Sequence, residues 1–181
     1  RINTVGMHNV LNALCAAGVA IALGCDTDDV RAGLEKFEPA RMRLQLLDTG
    51  KGFRVLNDAY NANPESVRSA VDELMRLKGD GKTIAVLGDM LELGEASDPE
   101  HRGIGEYLSA SGVDFVIAMG KHGGALLSGV GNGTGSYYAE NHSDASGMVL
   151  RKATPGDLVL VKGSRGMKME KVVSELTGGA G

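Results

Sequence analysis

Short runs of consecutive apolar residues, each followed by a segment of helical periodicity, constrain the fold of this chain more than any other feature of its sequence. Residues 84–87 (Ile-Ala-Val-Leu) and 115–118 (Phe-Val-Ile-Ala) lack the apolar and polar alternation of a strand that has one face in water. Such runs are typical of strands that are covered on both faces, as in parallel sheets. Because parallel strands are joined by crossover connections that are usually helices, the pattern predicts an α/β fold.

The alternation of strands and helices extends over most of the chain. Residues 44–47 and 53–56 flank the turn-forming residues 48–52, which predicts a β-hairpin. Further strands are predicted at residues 83–87, 114–119, 137–138 and 158–161. Helices are predicted from Pro64, from about Pro99, after Lys121, after His142 and from about Met167. We therefore expect a Rossmann-like, mostly parallel sheet with helices on both faces.

The first part of the chain follows a different pattern. Helical periodicity over residues 7–23 and again over 27–37 predicts a helical hairpin that is too small to be a domain on its own. Pro39 disfavours helix at the residue before it, so residues 38–43 are predicted to form a linker. The sequence thus predicts two units, residues 1–38 and residues 39–181.

The composition argues against several classes of function. A net charge of −4 without a basic run is atypical of proteins that bind nucleic acid or a membrane surface. No apolar run approaches the ~20 residues that span a bilayer, so we expect a soluble, cytoplasmic protein. Cys15 and Cys25 are predicted to be reduced core thiols, and the four histidines lack the spacing of metal ligands, so no metal site is predicted.

A polar segment, residues 57–66 (Asn-Asp-Ala-Tyr-Asn-Ala-Asn-Pro-Glu-Ser), lies between a predicted strand and a predicted helix. Asn63 is a good N-cap and Pro64 suits the first helical position, so helix capping explains the end of the segment. Capping does not explain Asp58, Tyr60 and Asn61 together. Because ligands of open α/β sheets collect outside the carboxyl ends of strands, we interpret the polar segment as part of a binding site.

Two other predicted strands also end in polar residues. Residues 162–166 (Lys-Gly-Ser-Arg-Gly) follow a strand and open a helix, where backbone N–H groups and two cations would favour a carboxylate or phosphate. A solvated turn is the alternative. Asp89 follows the strand at residues 83–87, and it either orients a ligand amine or caps the turn. All three strand ends are expected at one edge of the sheet.

The first helix carries three polar residues on one side of its amino-terminal end, His8, Asn9 and Asn12. The two amides suit the edge of an adenine, because each offers both a donor and an acceptor. The alternative is that His8 and Asn9 only cap the helix. These residues are therefore a candidate nucleotide contact.

Taken together, four segments resemble the Mur ligases, and within them the MurF type, which adds D-alanyl-D-alanine to a UDP-N-acetylmuramoyl-tripeptide. The segments are residues 6–14, 57–66, 87–94 and 161–167. The H-N-x-x-N helix is shared with folylpolyglutamate ligases, whereas Y-N-A-N-P and L-G-D-M-x-E-L-G are characteristic of the MurF type. The resemblance covers essentially the whole chain, with residues 1–38 similar to the tail of the central ATPase domain and 39–181 to the carboxyl-terminal domain.

The resemblance implies an ATP-dependent, amide-forming reaction in peptidoglycan precursor synthesis that passes through an acyl phosphate. It also implies Mg²⁺, whose ligands would lie in a central domain with a G-K-[ST] loop, and an amino-terminal UDP-substrate domain; neither domain is found in this sequence. The chain alone is therefore expected to be inactive.

The resemblance also assigns roles to residues. Asn9 and Asn12, with His8 nearby, would contact adenine, Asp58 would bind the ribose hydroxyls, and Tyr60 would line the nucleotide cleft. Arg43 is implied as the catalytic residue that reaches the ATP phosphates, although the family usually has Gly before this arginine and this chain has Met42. The candidates for contacts with substrate are Asn61, Asn63, Asp89, Lys162, Ser164 and Arg165.

Two other functions stay open at this point. A sister ligase of the folylpolyglutamate or cyanophycin-synthetase type would share His8, Asn9 and Asp58, although residues 87–94 argue against it. A Rossmann-like binding module without catalysis is the alternative from a different functional class.

Overall fold

The computed structural model describes residues 7–37 and 41–179, with side chains from residue 9 onward. The first two helices are α1 (Met7–Ala22) and α2 (Thr27–Glu35). The remaining helices are α3 (Pro64–Leu77), α4 (Ser97–Ala110), α5 (Gly123–Ser128), α6 (His142–Lys152) and α7 (Glu170–Thr177). The strands are β1 (Gln45–Asp48), β2 (Arg54–Asp58), β3 (Thr83–Leu87), β4 (Phe115–Met119), β5 (Gly135–Ala139) and β6 (Leu158–Lys162).

The six strands form one sheet in the order β1-β2-β6-β3-β4-β5. β1 pairs antiparallel with β2, and every other pair is parallel. The predicted hairpin and the predicted mostly parallel sheet are confirmed. The last strand in the sequence, β6, lies between β2 and β3, so it brings the end of the chain into the middle of the sheet.

Two apolar cores cover the two faces of the sheet. Side chains of α3, α4 and α5 pack on one face, and those of α6 and α7 pack on the other. Within β3, Ala85 and Leu87 enter the first core while Ile84 and Val86 enter the second. This two-sided burial is the physical reason for the uninterrupted apolar runs in the sequence.

The structure contradicts two predictions, one about the segment after β6 and one about the cysteines. A 3₁₀ turn (Arg165–Met167) follows β6, and α7 begins only at Glu170 because Lys168 takes a left-handed conformation with φ of 52°. The residues after β6 therefore form a tight turn, whereas the sequence predicted a helix that opens there. The prediction of core thiols was also wrong, because Cys15 and Cys25 are free but exposed.

The amino-terminal hairpin is present as α1 and α2. Residues 38–40, where the boundary between the two predicted units falls, lie outside the described residues. Within the parts of the chain that are described, no helix is both long enough and apolar enough to cross a bilayer.

Two glycines of α4 offer a matched test of helix packing. A Cβ at Gly105 would lie 2.0 Å from the carbonyl oxygen of Leu126 on α5, whereas a Cβ at Gly103 would have its nearest contact at 3.7 Å. We expect Gly105→Ala to lower the free energy of unfolding by about 1–3 kcal/mol through overpacking. Gly103→Ala should raise it by up to about 1 kcal/mol, because alanine favours helix. Urea denaturation measures both changes, and a neutral Gly105→Ala would contradict the close approach.

Candidate functional site

The carboxyl ends of β2, β6 and β3 lie side by side, as the sequence predicted. In the parallel register, Lys162 at the end of β6 is level with Asp58 of β2 on one side and Leu87 of β3 on the other. The polar segment leaves β2 at this edge, and the 162–166 turn leaves β6 beside it. Residues about a hundred positions apart in the sequence therefore meet.

Local hydrogen bonds shape the polar segment. The buried side chain of Asn57 accepts the backbone N–H of Ala59 at 3.2 Å, which turns the chain away from the strand. Asn63 then caps α3, since its side chain accepts the N–H of Ser66 at 2.8 Å, and the Ser66 hydroxyl accepts the N–H of Asn63 at 3.0 Å. The N-cap role predicted for Asn63 is confirmed. Capping leaves Asp58, Tyr60 and Asn61 for other contacts.

A nearly buried ion pair links two of the strand ends. The ammonium nitrogen of Lys162 lies 2.5 Å from Oδ2 of Asp58 and donates a second hydrogen bond to the Asn61 carbonyl oxygen at 2.9 Å. The Lys162 side chain is 3% exposed and that of Asp58 is 13% exposed. Burial lowers the pKa of Lys162, while the Asp58 carboxylate opposes that shift and the Arg43 guanidinium adds to it.

Arg43 is held by its backbone and by an aromatic ring. Met42 and Leu44 on either side of it have left-handed φ angles of 61° and 46°. The carbonyl oxygen of Met42 accepts the N–H of Tyr60 at 3.2 Å, and the Arg43 guanidinium carbon lies 4.3 Å from the centre of the Tyr60 ring. This distance is typical of a cation–π contact. The left-handed region favours glycine, so Met42 occupies a backbone conformation that costs less for glycine than for a residue with a side chain.

Most of the predicted site residues line one open cavity of about 600 Å³. The lining residues are Asn9, Asn12, Phe37, Arg43, Leu44, Asp58, Tyr60, Asn61, Ala62, Asn63, Glu65, Ser66, Ser69, Ala70 and Lys162. The cavity therefore joins the first helix, the end of the linker, the polar segment and the end of β6.

Several lining residues of α3 were not predicted, among them Glu65, Ser66 and Ser69. The spacing of three residues from Asn63 to Ser66 and from Ser66 to Ser69 places these side chains on one side of the helix. That spacing was a readable signal, because a helix that begins in a binding turn directs its first turns toward the same space.

Three predicted site residues whose side chains the structure describes do not line the cavity. The buried Asp89 carboxylate accepts the N–H groups of Lys121 at 2.8 Å and His122 at 3.0 Å, so it shapes the turn after β4. The Ser164 hydroxyl donates to the Ala62 carbonyl oxygen at 3.1 Å and accepts the N–H of Leu91 at 2.8 Å. It thereby ties the polar segment to the loop after β3.

Arg165 and His8 are the last two of the predicted site residues. Arg165 is exposed, and its guanidinium group lies 3.3 Å from the Glu170 carboxylate. The side chain of His8 lies outside the described residues.

The chemistry of the cavity fits a nucleotide. Asn9 and Asn12 contribute amide groups to the lining. Asp58 contributes a carboxylate that can accept hydrogen bonds from hydroxyl groups, and Arg43 contributes a cation. Among the described residues, His, Cys, Asp and Glu side chains form no group of three or more that could hold a metal ion. The cavity thus offers contacts for a base, a sugar and an anionic group.

Comparison with known proteins gives concordant results. A family model described as Mur ligase, glutamate ligase domain, matches residues 42–165. The UDP-N-acetylmuramoyl-tripeptide–D-alanyl-D-alanine ligase of Bacillus subtilis is 38% identical over 179 residues, which cover 97% of this chain and 39% of that relative. The chain therefore spans about two fifths of the length of this relative.

Solved structures agree with the sequence comparison. A crystal structure of MurF from Acinetobacter baumannii matches with a TM-score of 0.88 at 32% identity, covering 98% of this chain and 39% of that chain. The structure of MurF ligase from Thermotoga maritima in complex with ADP matches with a TM-score of 0.80 at 25% identity, covering 97% and 39% of the two chains.

The ion pair at the sheet edge generates a stability prediction. Asp58→Ala leaves the buried ammonium group of Lys162 without its counter-charge, and we expect it to lower the free energy of unfolding by about 3 kcal/mol. The single variant Lys162→Met completes the cycle with the double variant Asp58→Ala/Lys162→Met. The double variant should lose less free energy of unfolding than the sum of the losses in the two single variants, because no unpaired charge stays buried. Urea denaturation of the four proteins measures this coupling, and strictly additive losses would contradict the ion pair.

Proposed function

The chain belongs to the Mur ligase family, and from this premise we propose that it is the carboxyl-terminal part of an ATP-dependent ligase that joins D-alanyl-D-alanine to a UDP-N-acetylmuramoyl-tripeptide in peptidoglycan precursor synthesis. The observation that carries the proposal is the cavity whose lining includes two asparagines of α1 together with Arg43, Asp58 and Tyr60. The relative from Bacillus subtilis is a ligase of this kind, and the Thermotoga maritima structure contains ADP. The first supports the proposed reaction, and the second supports an adenine nucleotide as a ligand of the proposed ligase.

On the nucleotide side, we assign Asn9 and Asn12, with His8 nearby, to the adenine and Asp58 to the ribose hydroxyls. A carboxylate accepts hydrogen bonds from two adjacent hydroxyl groups, which suits this assignment. Arg43 would contact the phosphates, and Tyr60 would hold the guanidinium group in place through the contact at 4.3 Å. ATP would supply the phosphoryl group that activates the tripeptide carboxylate for attack by the dipeptide amine.

On the dipeptide side, Asn61, Asn63 and Lys162 line the cavity. We favour Asn61 and Asn63 for direct contact, because the Lys162 ammonium group is already paired with Asp58. Asp89, Ser164 and Arg165 lie outside the cavity, and we assign them to the support of the surrounding loops. In the proposed ligase, this part would close over the nucleotide and exclude water.

The remainder of the proposed ligase would contain the UDP-substrate domain, the ATPase domain with its phosphate-binding loop, and the Mg²⁺ ligands. The reaction is assigned to the cytoplasm. This chain alone should bind ATP weakly and should not turn over.

A ligation assay with the complete protein, expressed from its full reading frame, tests the proposal. We expect ADP release that requires both a UDP-N-acetylmuramoyl-tripeptide and D-alanyl-D-alanine. Release that depends on glutamate in place of the dipeptide would favour a folylpolyglutamate or cyanophycin-type ligase. Tight ATP binding by the 181-residue chain without any ligation would favour a binding module instead.

The ribose assignment predicts a selective kinetic defect. Asp58→Asn keeps the size of the side chain but removes the charge that two hydroxyl groups would share. We expect the KM for ATP to rise about tenfold or more, while the KM for the dipeptide stays near that of the wild type. Asp98→Asn, at an exposed carboxylate outside the cavity, is the control. Equal increases in the two KM values would remove Asp58 from the ribose.

The phosphate assignment predicts a defect in turnover. Arg43→Ala should lower kcat about a hundredfold, because a cation aimed at developing phosphate charge acts mainly in the transition state. Arg41→Ala is the matched control, since this exposed arginine lies two residues away and does not line the cavity. Unchanged unfolding curves would show that both variants keep the fold. A normal kcat for Arg43→Ala, or a loss for Arg41→Ala instead, would contradict the assignment.

A further inference from the structure

We propose that Lys162 is a positioning residue, whose ammonium group holds the Asp58 carboxylate and the Asn61 carbonyl group in the arrangement that the nucleotide requires. The sequence placed Lys162 among residues that contact substrate. Its contacts assign it a different main task. The identity of the ligand rests on the proposed function, whereas the contacts themselves do not.

The position of Lys162 leaves its ammonium group little freedom. The residue ends β6 in the middle of the sheet, and its side chain is 3% exposed. A buried ammonium group is costly unless it is paired and hydrogen-bonded. Asp58 at 2.5 Å supplies the counter-charge, and the Asn61 carbonyl oxygen at 2.9 Å supplies a second acceptor. The pair is therefore a fixed part of the site.

The two oxygens of Asp58 connect this pair to the phosphate side of the cavity. Oδ2 contacts Lys162, and Oδ1 accepts the backbone N–H of Leu44 at 3.1 Å. Leu44 follows Arg43 directly and is itself in a left-handed conformation, so the hydrogen bond holds a segment that would otherwise relax. Through the Asp58 carboxylate, Lys162 thus restrains the backbone segment that carries Arg43.

The hydrogen bond from Lys162 to the Asn61 carbonyl oxygen also restrains the polar segment. Asn61 lies beside Tyr60, whose ring holds the Arg43 guanidinium group. Anchoring the Asn61 carbonyl group restricts the turn from which Tyr60 projects. Loss of the ammonium group would free both ends of the arrangement, the Asp58 carboxylate and the Tyr60 turn.

A role as the main receptor for an anionic ligand is less compatible with this geometry. An incoming carboxylate would have to compete with Asp58 for an ammonium group that is already neutralised. Arg43 carries an exposed guanidinium group in the same cavity and faces no such competition from Asp58. The geometry favours Arg43 for the anion and Lys162 for the support of the site.

The test is Lys162→Met in the complete protein, because methionine preserves length and apolar packing without the charge. We expect the KM for ATP to rise about tenfold with a smaller change in kcat. In parallel, hydrogen–deuterium exchange followed by mass spectrometry should show faster exchange at the Leu44 amide. Lys162→Gln, which keeps one hydrogen-bond donor, is the second variant if the methionine variant does not fold, and it should show the same changes at smaller size.

Asp157→Asn is the matched control for a general loss of stability. Asp157 lies just before the opposite end of the same strand, is buried, and accepts the N–H groups of Lys82 at 2.7 Å and Thr154 at 2.8 Å. This variant should lower the free energy of unfolding but leave the KM for ATP and the exchange at Leu44 unchanged. Equal effects of Asp157→Asn and Lys162→Met on KM and exchange would overturn the positioning role.

The kinetic measurement and the exchange measurement also distinguish the positioning role of Lys162 from the proposed function. Unchanged exchange at Leu44 in Lys162→Met would overturn the positioning role whatever the activity. A wild-type protein that does not ligate would refute the proposed function, and faster exchange in Lys162→Met would then still support the contact between Lys162, Asp58 and Leu44. An active wild type with an unchanged KM for ATP in Lys162→Met would overturn the inference and leave the proposed function intact.

Discussion

Burial of the central strands on both faces is the constraint on which the rest of this structure depends. β3 and β6 send alternate side chains into two cores, which are closed by helices on opposite faces of the sheet. Helical crossovers bring every parallel strand back in the same direction, so all their carboxyl ends reach one edge. β6 is the last strand in the sequence but lies between β2 and β3, and this insertion sets Lys162 beside Asp58. The site is a consequence of the strand order.

At that edge of the sheet, burial requires the charge of Lys162 to be paired with an opposite charge. A lysine that is almost fully removed from water is retained because a carboxylate and a carbonyl oxygen contact its ammonium group. The pair of Lys162 and Asp58 is neutral as a unit, which leaves Arg43 and Glu65 as the other charged residues that line the cavity in the described part of the chain. In the proposed function, a phosphate in this space would contact the Arg43 guanidinium group, while the neutral pair would maintain the shape of the cavity wall.

Polar residues at strand ends divide into those that face the cavity and those that hold the loops around it. Asp89 and Ser164 were equally plausible as ligand contacts in the sequence, where a capping or turn role was the stated alternative. Their hydrogen bonds go to backbone groups of neighbouring loops. These two side chains therefore support the loops, and only the three-dimensional arrangement reveals their partners, which lie 32 to 102 residues away in the sequence.

Local periodicity and capping chemistry were sufficient to predict the α/β class, the antiparallel first hairpin, the parallel strands and the cap at Asn63. The sequence also identified the cavity residues at the end of β2, because ligands collect where parallel strands end. The asparagines of α1 came from helical spacing, and Arg43 came only from the family resemblance. Local patterns did not predict the turn after β6, where Lys168 takes a left-handed conformation, or the exposure of Cys15. The pairing of Lys162 with Asp58 and the contact of Arg43 with the Tyr60 ring become visible only in the folded chain. The physical reason is that such contacts depend on the strand order and on the register between strands, which no local pattern encodes.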